Sequence, residues 1–172
     1  MSPQQRRIDR VLEADYLTNL GARPIDELRA MQRECSEVET EASYVRRLAH
    51  ARIDILRAET DRRRAGGSLG DLVEALPKIL SSETAVRGDP AGSRIASPLA
   101  PSMDIKWNRG LERLIADGTL VNLPNLSDEE LETTIEQLGE LEREVSQTRA
   151  SLHAVVDAID RELGRRVAAG SG

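Results

Sequence analysis

Two stretches, 24–64 and 127–168, run with almost no helix breaker, and apolar residues recur in both every seven positions. In the first, Leu28, Cys35, Ala42, Ala49 and Leu56 stand seven apart, with Met31, Val38, Val45 and Ile53 in support. In the second, Leu131, Leu138, Val145, Leu152 and Ile159 do the same, and Ile135, Leu141, Val156 and Leu163 fill much of the alternate row. A pattern this long predicts two helices of roughly 60 Å, each burying one stripe. The ends carry matching signals. Pro24 suits a first helical position, Asp26 and Glu27 favour a positive helix N-terminus, and Gly66 with Gly67 stops the first helix. Ser127 and Glu130 form a capping box for the second, in which Gly139 is a local weakness and Gly164 begins the fraying end.

The rest of the chain is subordinate to these helices. Residues 4–20 read as a short amphipathic helix with Ile8, Val11, Leu12 and Tyr16 on one side. The connector, 65–126, holds a short helix near Asp71–Leu80, bent or interrupted at Pro77, and a flexible Gly-, Pro- and Ser-rich stretch at Arg87–Ser102. A second short helix near Ile105–Ala116 sets Trp107, Leu111, Leu114 and Ile115 on one face. Aromatic residues are only 2% of the chain, with no Phe and one Trp, so the core is expected to be thin and aliphatic. The expectation is one all-α domain over 1–172: a long antiparallel coiled-coil helical hairpin with short flanking and connecting helices.

Charge and cysteine usage exclude several classes. A net charge of −6 argues against generic binding to nucleic-acid phosphates and suits a basic protein partner. The single cysteine, Cys35, cannot form an intrachain disulfide and reads as seam packing. No apolar run approaches the roughly 20 residues of a membrane span, and the first residues lack a secretory signal, so a cytoplasmic location is expected.

The two long stretches are also copies of each other. Leu17-Thr18-Asn19-Leu20 matches Leu120-Val121-Asn122-Leu123, Glu27-Leu28 matches Glu130-Leu131, and Arg62-Arg63 matches Arg165-Arg166, all at one offset. Within this repeat, Glu39, Ser43, Arg46, His50 and Asp54 recur as Glu142, Ser146, Arg149, His153 and Asp157. The spacing of 4, 3, 4 and 4 places each set in a stripe along one helix face, bordering the apolar seam. Core positions drift between the copies (Cys35 against Leu138, Ala42 against Val145) while the polar stripe stays identical. Solvated flanks or interhelical ion pairs are the ordinary use of such residues, and they leave the paired Ser and His unexplained.

Facing one another in an antiparallel pair, the stripes would bring Arg46 beside Arg149, Glu39 towards Asp157 and Asp54 towards Glu142. Arginine forks two bonds to phosphate or to guanine O6 and N7, and a carboxylate accepts from guanine N1–H and N2–H. The charge map therefore suits a symmetric anion bearing guanines. Nothing points to catalysis: there is no phosphate loop and no nucleophile elbow, and each Ser stands seven residues from its His. A metal site is not expected either, with His50 and His153 the only histidines and no Cys cluster. A ligand-free coiled-coil scaffold or adaptor, and a nucleotide hydrolase, remain as alternatives. Trp107 reads either as a cap for the helix pair or as a partner-protein anchor.

The stripe resembles the E-x3-S-x2-R-x3-Q-x3-D signature of the RsiG family of cyclic-di-GMP-responsive anti-sigma factors. Both copies follow it except at the fourth position, where His50 and His153 stand in place of Gln. The resemblance implies an antiparallel coiled coil binding a cyclic-di-GMP dimer, one motif per helix, through the ten stripe residues, with no resident cofactor. It further implies that the loaded protein withholds a WhiG-class sporulation sigma factor from RNA polymerase. Protonated imidazole would add charge beside phosphate, so affinity is expected to rise as pH falls from about 7.5 to 6.

Overall fold

The computed structural model describes residues 7–85 and 122–170. In chain order these form α1 (Arg7–Val11), a 3-10 turn (Leu20–Ala22), α2 (Ile25–Arg64), α3 (Leu69–Ala85), a second 3-10 turn (Leu123–Asn125) and α4 (Asp128–Gly170). Every regular element among the described residues is helical. The second connector helix, the Arg87–Ser102 stretch and Trp107 lie outside the described residues.

Contacts fall into two compact units. Within the described residues, the first takes the chain up to Tyr44 and from Val145 onward, and the second takes Val45 through Glu144. Each unit pairs half of α2 with the opposite half of α4. In the first, Gln32 near the start of α2 bonds Asp160 near the end of α4. In the second, Arg63 at the end of α2 meets Asp128 at the start of α4. Each pairing is antiparallel.

The seam follows the heptads. Leu28, Cys35, Ala42, Ala49 and Leu56 are buried on α2, as are Leu131, Leu138, Val145, Leu152 and Ile159 on α4. Each buried Leu or Ile contributes about 1.5–3 kcal/mol, which offsets the small side chains at Cys35, Ala42 and Ala49. On the alternate row Val155 is buried and Val156 is only partly covered, contrary to expectation. Leu141, Thr148 and Val155 keep a strict spacing of seven, so Val155 is the residue facing inward. The same row on α2 runs Met31, Val38, Val45, Arg52 and Glu59, and the last two are buried despite their charge.

The helix ends obey their signals. The Glu130 carboxylate accepts from the Ser127 N–H at 2.7 Å, and the Ser127 hydroxyl accepts from the Glu130 N–H at 3.2 Å. The Glu130 carboxyl is thereby held below its ordinary range, by the Ser127 backbone bond first. Gly66 takes φ +67, which only glycine adopts at low cost, and Gly67 N–H closes the turn on Arg62 O at 2.9 Å. Pro24 sits one residue before α2, where its carbonyl accepts from Leu28 at 3.1 Å.

Two elements differ in extent from expectation. Helix α1 is shorter than 4–20. Beyond Val11 the chain is a series of turns (Glu13 N–H to Arg10 O, Tyr16 to Glu13, Thr18 to Asp15) ending at Asn19 in the left-handed region. Asp15, Thr18 and Asn19 favour such turns over a continuing helix. Helix α3 runs through Pro77 rather than stopping there, although proline lacks the N–H that an interior helical position would donate. In the first unit Tyr16 donates to Glu34 at 3.0 Å and packs beside Cys35. Burial pushes the Cys35 thiol up, which fits packing and not a reactive thiolate.

Candidate functional site

The stripe residues assemble into the same clasp in each unit, with the helices exchanging roles. In the first unit Glu39 of α2 receives Arg149 and His153 of α4. Arg149 brings Nε and a terminal nitrogen each to 2.9 Å from Glu39 Oε1, and His153 Nε2 lies at 3.4 Å. In the second unit Glu142 of α4 receives Arg46 and His50 of α2, at 3.5 and 3.1 Å. The +4 step from Arg to His explains the clasp: it puts both on one helical face, a turn apart, so both reach one carboxylate.

The expected opposition of Glu39 with Asp157 is not what forms. Register in the first unit sets Glu39 against Arg149, where opposite charges attract, with the His153 ring beside it, and the Asp54 and Asp157 carboxylates stand outside the clasps. Ser43 donates to Glu39 at 2.7 Å from one turn along α2. Burial pushes the Glu39 carboxyl up, but Ser43, Arg149 and His153 together outweigh it and hold the group below its ordinary range. Arg46 is the less satisfied arginine: its buried Nε donor has no hydrogen-bond acceptor among the described residues. A buried donor without an acceptor is costly in a native protein, and it is the kind of group that a ligand oxygen would satisfy.

Trp107 lies outside the described residues. Among them, no group of three or more His, Cys, Asp or Glu could hold a metal ion, and no helix is long and apolar enough to cross a membrane. A hollow of about 340 Å³ at the start of α4, lined by Leu126, Glu129, Glu130, Thr133 and Thr134, contains none of the stripe residues.

A second duplicated cluster closes the helix ends, and the sequence reading passed over its central residue. Glu59 binds Arg62 and Arg63, and Glu162 binds Arg165 and Arg166, all at 2.6–2.9 Å. The Glu59 carboxylate is fully buried and is held at about 2, by the Arg62 hydrogen bond above all. The match of Arg62-Arg63 with Arg165-Arg166 was the visible signal; Glu59 and Glu162 stand at the same offset.

A family model described as RsiG-like matches residues 14–80 and 117–172, which include both long helices and every stripe residue. A search of curated proteins finds no match. Matched over most of its length, the chain belongs to the RsiG-like family of regulatory, non-catalytic anti-sigma factors.

Proposed function

We propose that this protein is a cyclic-di-GMP-dependent anti-sigma factor, and that Glu39, Ser43, Arg46, His50, Asp54 and their counterparts Glu142, Ser146, Arg149, His153 and Asp157 bind the nucleotide. The observation that carries the reading is the twice-built clasp, an arginine and a histidine converging on one carboxylate. Each clasp supplies groups that a cyclic guanine dinucleotide requires. The arginine matches phosphate or the guanine O6 and N7 edge, and the carboxylate matches guanine N1–H and N2–H. Two clasps suit two ligand molecules. The open Nε of Arg46 adds a donor that a phosphate or guanine oxygen would satisfy. Acting in the cytoplasm, the loaded helix pair, with coiled-coil packing along its seam, holds a WhiG-class sporulation sigma factor away from RNA polymerase. Trp107 is the candidate anchor for that partner.

One observation favours a second reading. The Glu–Arg pairs already satisfy each other across the helices, as they would in a ligand-free scaffold or adaptor. Calorimetry separates the two. Cyclic-di-GMP should bind the wild-type chain with cyclic-di-AMP inert, and Arg46→Ala with Arg149→Ala should abolish binding of both the nucleotide and the sigma factor. No heat with cyclic-di-GMP would leave the scaffold reading. Sigma-factor capture that persists undiminished without nucleotide would remove the gating.

A further inference from the structure

The seam of α2 is lean where it matters most for alignment. Cys35, Ala42 and Ala49 follow one another at a spacing of seven, so sliding one helix by a heptad, about 10 Å, still offers apolar residues to apolar residues. Such a slip would set Glu39 opposite Val156 in place of Arg149. Something other than the seam has to fix alignment.

The duplicated end clusters have the geometry to do so. In the first unit Arg166 of α4 takes its Nε to Glu162 at 2.8 Å and donates another N–H to Leu20 O at 2.7 Å, on the 3-10 turn leading into α2. In the second, Arg63 of α2 takes its Nε to Glu59 at 2.6 Å and donates to Leu123 O at 3.2 Å, on the 3-10 turn leading into α4. It also donates to Leu126 O at 2.7 Å and to Asp128 at 2.8 Å. Leu20 and Leu123, Glu59 and Glu162, Arg63 and Arg166 are counterparts at the one repeat offset. The receiving turns match as well, with Ala22 N–H to Asn19 O and Asn125 N–H to Asn122 O both at 2.9 Å. A guanidinium braced by a carboxylate on its own helix loses little entropy when it makes the second bond.

We propose that Arg63 and Arg166 are positioning residues: each ties the end of one long helix to the turn that starts the other, and so fixes the register at which the clasp of its unit forms. The consequence for ligand rests on the function proposed above. The consequence for register does not.

The test uses the full chain with Cys35→Ala, carrying spin labels within one unit at a time. Arg33→Cys with Arg161→Cys reports the first unit, and Arg57→Cys with Glu136→Cys reports the second; all four sites are exposed. Because α2 and α4 are each one continuous helix, Arg63→Gln together with Arg166→Gln should add a population displaced by a heptad step, about 10 Å, to both pairs. Arg165→Gln, whose bonds go to Glu162, should alter neither. Unchanged distances in the double variant overturn the proposal, as does an equal effect of Arg165→Gln. Cyclic-di-GMP titration of the unlabelled double variant is the second arm. If the clasp register falls to a tenth of the population, apparent affinity falls about tenfold. A wild-type chain that binds no cyclic-di-GMP sinks the functional reading while the distances still decide the role of the arginines.

Discussion

Glu59 is a group through which acid should loosen the helix pair. Its carboxylate is fully buried and braced by Arg62 and Arg63, which hold it at about 2 against an ordinary 4.5. A group depressed in the folded state stabilises the fold fully above its unfolded value and loses that contribution as pH falls towards the folded one. At about 1.4 kcal/mol per unit, the full shift corresponds to roughly 3 kcal/mol. Both arginines reach solvent, which screens the pair and brings the expected contribution to about 1–2 kcal/mol. Urea unfolding of wild type and Glu59→Gln at a series of pH values measures it. The variant should be less stable by about that amount at pH 7, and less than half of the difference should remain near pH 3. Glu162, also held at about 2, titrates in both proteins and drops out of the comparison. A difference that stays constant from pH 7 to 3, or none at pH 7, would refute an ionised Glu59 as the brace.

Gly139 lies inside α4, where a Cβ would meet only Arg143 at 3.8 Å, so Gly139→Ala should raise stability by about 0.5–1 kcal/mol in the same urea assay. Ser127→Ala removes the hydroxyl that caps Glu130 and should cost about 1 kcal/mol, visible as a lower thermal midpoint with unchanged far-UV circular dichroism at 20 °C.

The long helices were legible in the sequence because their seam is strictly periodic. All five heptad positions on α2 and all five on α4 are buried, and the capping box forms as written. Where the reading slipped, composition misled it. Arg52 and Glu59 continue the row of Met31, Val38 and Val45, yet a charged residue on a seam reads as an interruption. An arginine stem can cover apolar surface, and a glutamate braced by two arginines can be buried, so both kept the register that their charge concealed. The end ties could not be read at all, because their acceptors are the carbonyls of Leu20 and Leu123, and a carbonyl carries no side-chain identity. The stripes lie between these cases. Their residues stood out by repetition, but which carboxylate meets which arginine depends on the register of each helix pair, which no single stripe encodes.

That pairing also changes what the two histidines can do. Read from the sequence, a protonated imidazole at position 50 or 153 would gain a phosphate contact, and ligand affinity would climb in mild acid. In the structure His50 lies 3.1 Å from Glu142 and His153 lies 3.4 Å from Glu39, so a proton on either ring already finds a carboxylate before any ligand arrives. If the proposed nucleotide binds there, binding exchanges one anionic neighbour for another. The proposed contact would therefore gain only the difference between phosphate and carboxylate as partners for the ring, where Gln in place of His offers an amide instead. The same exchange applies to Arg149, whose fork on Glu39 has to open for a phosphate to enter, whereas the Nε of Arg46 has no bond to give up. The clasps are thus at once the recognition elements proposed here and the internal competitors that a ligand must displace.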